Sequence, residues 1–184
     1  GPGQEDGSQP VRLSGPRHKA GVTVNGPIVN VPSAWHLSTM NCTLSFEYEF
    51  SRDDDDFGWL LARLQTPDFS GRNGMWVQWQ DLTDFAASLS QYPFDAADPV
   101  ACEWGFGEQG QYTAVTRVSV TPAGTTGGLI ADVFLANYDE PDNRCQSRFQ
   151  TDYPSLAEFQ RQLEQMMRRE GAEATLIGSR ANVR

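Results

Sequence analysis

The chain has 184 residues, 21% of them charged and 11% aromatic, with 14 basic against 24 acidic side chains and a net charge of −10. That length can bury a full-sized core without disulfide or metal staples. The acidic balance argues against nucleic acid or anionic lipid as the main partner, since both demand cationic neutralisation, and it suits a basic protein or a plain role in solubility.

Cys42, Cys102 and Cys145 are odd in number and far apart, and no C-x-x-C pair occurs, so neither a disulfide framework nor a zinc site is signalled. They read as small apolar residues of a reduced, cytoplasmic protein. No apolar run approaches the length of a membrane span, and no apolar signal core opens the chain. Lys19 is the only lysine in an otherwise all-arginine set, as codon usage in a GC-rich bacterial genome would produce.

Residues 1–39 differ from the rest. They open Gly-Pro-Gly and are dominated by Gly, Pro, Ser and Asn, and they carry Arg12, Arg17 and Lys19 against Glu5 and Asp6. From Met40 onward 11 basic and 22 acidic residues remain, a net −11. Residues 1–39 are expected to be a non-native or disordered extension, 40–178 an α+β domain, and 179–184 a C-terminal tail. The rival reading makes Val22–Val31 a real edge strand.

Leu44, Phe46, Tyr48 and Phe50 alternate along a strand. Four consecutive aspartates, Asp53, Asp54, Asp55 and Asp56, form a polar turn that cannot enter a core. Trp59–Leu64 is a second strand, and Pro67–Gly74, with Asp68, Gly71 and Asn73-Gly74, reads as a turn-rich connection. Met75–Trp79 is a strand that runs into a helix capped at Gln80 or Asp81, with Leu82, Phe85, Ala86 and Leu89 on one face and Pro93 beyond its end. Trp76 and Trp79 are expected on different faces, one in the core and the other packed under a helix or free as a binding anchor. Val100–Phe106 is a strand, and Tyr112–Thr121 and Leu129–Tyr138 form a hairpin. Tyr112, Ala114, Val118 and Val120 are expected to share a face. Arg144–Gln150 returns as a strand, and Thr151–Pro154 opens a helix whose face is Leu156, Phe159 and Leu163. That helix closes on Arg168, Arg169 and Gly171, where dipole and C-cap favour them. Ala174–Ile177 adds a short last strand. The class is α+β, a mostly antiparallel sheet with two helices, each closing a run of strands in a twofold strand-strand-helix pseudo-repeat.

Catalytic chemistry is sparse. The only histidines, His18 and His36, lie in the N-terminal extension, and a domain starting at Met40 has neither a Ser-His-Asp nor a Cys-His arrangement, nor a histidine metal site. Gly105–Gly110 leads into a strand and not a helix, so it is a turn and not a phosphate loop. No cofactor is implied. Glu103, beside Trp104, is a candidate general acid, or more simply the solvent side of an alternating strand. The Asp53–Asp56 run lacks the spaced oxygen ligands of a calcium loop and reads as a solvated turn.

Several segments resemble the small bacterial immunity proteins of the WapI type and related uncharacterised bacterial domains. In the first half these are Asp56-x-x-Trp59-Leu60, Phe69-Ser70-Gly71, Trp76 and Asp81-Leu82-x-x-Phe85-x-x-x-Leu89. In the second they are Cys102-Glu103-Trp104, Gly127-Gly128 and Leu156-x-x-Phe159-x-x-x-Leu163. The resemblance spans Leu44–Met167 and rests on turn glycines and core hydrophobes, and the lysine-poor composition and the extension to Arg184 depart from it. It implies a non-enzymatic protein that binds and blocks a cognate toxin, with no catalytic residues to carry over. A small carboxylate-dependent hydrolase or ligand-binding domain, using Glu103 and Trp104, is the alternative, and an accessory or oligomerisation domain the third; a dimer stays open. For partner binding the expected residues are Asp53, Asp54, Asp55, Asp56, Trp59 and Arg72.

Overall fold

The computed structural model describes residues 41–124 and 127–180. The expected extension 1–39, its rival edge strand and residues 181–184 lie outside them. The chain runs β1 (Asn41–Phe50), β2 (Phe57–Gln65), β3 (Ser70–Gln78), α1 (Trp79–Ser88), β4 (Val100–Glu108), β5 (Gln111–Ala123), β6 (Gly128–Ala136), β7 (Arg144–Asp152), α2 (Tyr153–Met167) and β8 (Glu173–Arg180). All eight strands form one antiparallel sheet in the order β3-β2-β1-β8-β7-β6-β5-β4. The class is α+β, as the strand runs and tight turns require. Three strands precede α1 and four precede α2, so the two runs are unequal and do not carry the expected strand-strand-helix repeat.

Alternation decides which face is buried. Leu44 and Phe46 on β1, Leu60, Ala62 and Leu64 on β2, and Met75 and Val77 on β3 point inward, while their neighbours face out. The inner face holds both helices. Phe159 of α2 packs on Phe46 with ring centroids 5.8 Å apart, Trp104 of β4 lies 6.0 Å from Phe46, and Phe85 of α1 meets Trp104 edge-on at 5.9 Å. Trp104 and Phe46 stand far apart in strand order, so their meeting requires a curled sheet. β3 lies against β5, β6 and β7 for the same reason.

β8 is the hinge of the curl. It pairs with β1 along Asn41–Glu47 but with β7 only at Phe149 and Gln150. The short terminal strand expected at Ala174–Ile177 is therefore a central one. It reaches Arg180, two residues into the expected tail.

The expected connection Pro67–Gly74 is mostly strand. The turn is confined to Thr66–Phe69, where the Thr66 amide donates to the Phe69 carbonyl at 2.8 Å. Gly71 and Gly74 sit in β3 because other side chains occupy the space above them. A Cβ on Gly71 would lie 2.2 Å from Cys145 Sγ, and one on Gly74 would lie 2.6 Å from the Trp59 ring. The face expected for Tyr112 is also reversed. A bulge shifts the β4–β5 register between Trp104 and Gly105, so Tyr112 is exposed while Val115, Thr116 and Val118 are buried.

Candidate functional site

Three surface features cluster around the junction of β1, β2, β3 and α1. The first is the acidic loop. Its Asp53 amide donates to Ser51 Oγ at 3.1 Å and its Phe57 amide to Asp55 Oδ1 at 3.0 Å. The Ser51 amide closes the loop on the Phe57 carbonyl at 2.9 Å. Asp53, Asp54, Asp55 and Asp56 are all exposed. α1 has no side-chain cap; Gln78 is its N-cap residue, and Asp81 falls inside the first turn instead of at the expected cap position. The Trp79 amide donates to the Asp56 carbonyl at 3.0 Å, so the acidic loop satisfies one of the donors that a helix start leaves free.

The second feature is the outer face of β1–β3. Register sets it out in rows: Glu49, Trp59 and Trp76 in one, Glu47, Leu61 and Gly74 in the next, then Ser45, Arg63 and Arg72. Trp59 and Trp76 meet edge to face at 5.5 Å, and the Trp59 indole lies over Gly74. They are 38% and 51% exposed, which is unusual for two indoles on paired strands. Arg63 is ion-paired with Glu47. Arg72 is exposed and forms no salt bridge among the described residues.

Of the residues singled out in the sequence, the four aspartates and Trp59 stand together at one end of the β1–β2 hairpin. Arg72 shares the face of Trp59 but lies opposite Arg63, four residues or about 13 Å along the strand. Neither Trp76 nor Trp79 is a core residue, contrary to the expectation that one would be; Met75 and Val77 take the inward positions of β3. Trp79 lines a cleft of about 770 Å3 with Asp54, Asp55, Phe50 and Arg169, and the Arg169 guanidinium stacks 4.2 Å from the Phe50 ring centroid. Phe57 is an exposed aromatic residue to which the sequence assigns no role, and Trp76 is named there only as one of two tryptophans, either of which could be the anchor. Trp76 becomes legible only once the β2–β3 register sets it opposite Trp59.

The third feature is a smaller cleft, about 300 Å3, between the β3 and β4 ends of the sheet, with Trp76, Asp81, Glu103 and Tyr112 in its lining. Glu103 faces solvent, as strand alternation predicts, and its carboxylate receives Arg117 Nε at 3.1 Å. Burial raises the Asp81 carboxyl above the ordinary range, with Asp84 adding to the effect. Burial also raises the Tyr112 phenol, and Glu103 acts in the same direction.

A third cleft, about 680 Å3, opens where β8 and β7 part company. Its charges are already matched: Arg180 with Asp68 at 2.9 Å, and Arg148 with Asp132 at 3.7 Å. The three cysteines are free, and burial pushes the Cys102 thiol far up, away from nucleophilic use. No group of three His, Cys, Asp or Glu side chains among the described residues is arranged to hold a metal ion. No helix among them is long and apolar enough to cross a membrane. Comparison with protein-family models, with curated proteins and with solved structures gives no match to this chain.

Proposed function

We propose that this chain is a non-enzymatic, cytoplasmic protein-binding domain that neutralises a basic toxin. The acidic loop Asp53–Asp56 steers the encounter and the Trp59–Trp76 pair anchors it. The observation that carries this reading is the pair itself: two indoles half in water on adjacent strands, next to four carboxylates. Aromatic anchors flanked by charged rims are the composition of interface hot spots. An excess of acid on the domain accelerates association with a basic partner and disfavours polyanions. The hydrolase alternative is less well supported. Glu103 is part-exposed and salt-bridged to Arg117, the setting of a surface pair and not of a desolvated general acid.

The test is to express the product of each gene adjacent to this one in a susceptible host, with and without this chain. One neighbour should arrest growth, and the chain should relieve the arrest. The Trp59→Ala/Trp76→Ala variant, folded by circular dichroism, should lose the relief. Harmless neighbours would overturn toxin neutralisation, and full relief by the double variant would overturn the anchor.

A further inference from the structure

Among the described residues the sheet ends in two strands with one neighbour each, β3 and β4. An edge strand turns alternate N–H and C=O groups away from its single neighbour, which makes it a template for another chain. The two edges are not equivalent. The β4–β5 ladder is interrupted by the bulge at Trp104/Gly105, and a bulge bends and twists a strand out of pairing geometry. β3 runs in unbroken register with β2 from Phe57↔Gln78 to Gln65↔Ser70. It carries neither proline nor lysine, the common guards of an edge. Its first half is occupied through Asn73, which bonds across to β5. Its second half borders the cleft that holds Asp81, Glu103 and Tyr112.

We propose that the Gly74–Gln78 edge of β3 receives an extended basic segment of the partner protein as an added strand. This rests on the protein-binding reading above and names the way the partner is held. Side chains of an added strand alternate between faces. Those on the outer face would lie beside Trp76, and those on the inner face would enter the cleft. There Asp81, which forms no salt bridge among the described residues, offers its carboxylate to arginine or lysine with the Tyr112 ring alongside; Glu103, on the solvent side of the same cleft and paired with Arg117 at 3.1 Å, can share that pairing with a second cation. The acidic loop is tied to the same corner through the Asp56 carbonyl. An acidic segment would meet like charge, so the site selects by sign as well as by backbone.

The probe is a capped hexapeptide alternating arginine and valine, added to the full chain. Two controls accompany it: the same peptide N-methylated at alternate amides, and a glutamate–valine peptide. The arginine peptide should bind saturably and slow hydrogen exchange at least tenfold at those amides of Gly74–Gln78 that turn away from β2. Asp81→Asn/Glu103→Gln should weaken it about tenfold, and neither control should bind. Equal binding of the N-methylated peptide, or unchanged exchange at saturation, overturns strand addition. Edge protection without peptide that disappears on removal of residues 1–39 would give the site to the chain's own N-terminal segment, and also overturns it. If a neighbouring toxin is neutralised while the β3 amides keep their exchange rates, strand addition fails and partner binding stands. If the neighbours are harmless yet the peptide protects Gly74–Gln78, the edge site stands without toxin neutralisation.

Discussion

The side-chain amide of Asn73 on β3 reaches across the curled sheet to the bulge of β5. Its Nδ2 donates to the Val115 carbonyl at 2.9 Å and to Thr116 Oγ1 at 2.8 Å. All three residues are buried. The Val115 carbonyl can only accept, which fixes the amide orientation. A bulge leaves backbone groups outside the ladder, and Asn73 satisfies one of them from the opposite end of the sheet. Asn73→Ala should cost about 2–4 kcal/mol in denaturant unfolding, because it leaves a buried carbonyl and hydroxyl unpaired. Asn73→Asp should cost at least as much at neutral pH, since it sets a carboxylate against that carbonyl. A loss below about 1 kcal/mol for both would mean that water replaces the bond.

Gly71 and Cys145 make a second link between β3 and the far half of the sheet. A Cβ on Gly71 would stand 2.2 Å from Cys145 Sγ but 3.4 Å from Cys145 Cβ. Gly71→Ala should therefore destabilise by about 1–3 kcal/mol through overpacking. Cys145→Ala in the same chain should recover most of that loss, giving a coupling energy well above additivity. Additive single-variant losses would show that the two residues do not touch.

The helix anchors follow from periodicity alone. Phe159 is fully buried against Phe46, and Phe85 against Trp104. Cutting either to alanine should cost about 3–5 kcal/mol. A loss under about 1 kcal/mol at either position would contradict the packing of α1 or α2 on the sheet.

Tyr48 should give stability a pH dependence at the alkaline end. Its hydroxyl donates to the Val77 carbonyl at 2.8 Å. Burial pushes its pKa up to about 12, with the charges of Asp55 and Asp81 adding to the shift. The unfolded phenol titrates near 10. The folded state thus retains a proton that the unfolded state gives up. The contribution is whole below about pH 10 and declines as pH rises toward 12. Tyr48→Phe should be less stable at pH 8 and should lose less on going from pH 9 to 11 than the parent. Parallel stability profiles would assign the alkaline loss to other groups.

What sequence could and could not reveal divides by the range of the cause. The inward face of β1 and the helix faces through Phe85 and Phe159 were legible because local period fixes them. β3 was not: Gly71, Asn73 and Gly74 look like a turn, yet they are small or polar because Cys145, Val115 and Trp59 stand over them from other strands. Tyr112 does not share the face of Val118 and Val120, because a single bulge reverses the alternation between them. At the end of α2 the left-handed residue is Arg169, at φ 61°, where Gly171 was expected. The Glu170 amide reaches back to the Gln165 carbonyl and closes the helix around it. In the candidate site, the aspartate run and Trp59 were visible as composition. The pairing of Trp76 with Trp59, and the place of β3 at the edge of the sheet among the described residues, needed the strand order.

The acidic loop offers the sharpest separation of steering from fold. Its main-chain bonds use Ser51, the Asp55 Oδ1 acceptor and the Asp56 carbonyl. Asparagine at all four positions keeps every one of those acceptors while removing four charges. Stability should therefore change by no more than about 0.5 kcal/mol, as at other exposed sites. Association with a basic partner is another matter. Exposed charges act over about a Debye length, near 10 Å at 0.1 M salt, so they set encounter rate more than lifetime. Replacing Asp53, Asp54, Asp55 and Asp56 by asparagine should slow association about tenfold at low salt and flatten its salt dependence, with dissociation nearly unchanged. Trp59→Ala should do the reverse, raising the dissociation rate and leaving the salt slope alone. Stopped-flow measurements at low and high salt distinguish the two. An unchanged association rate in the four-asparagine variant would reduce the loop to a solvated turn and leave the aromatic pair as the whole of the recognition surface.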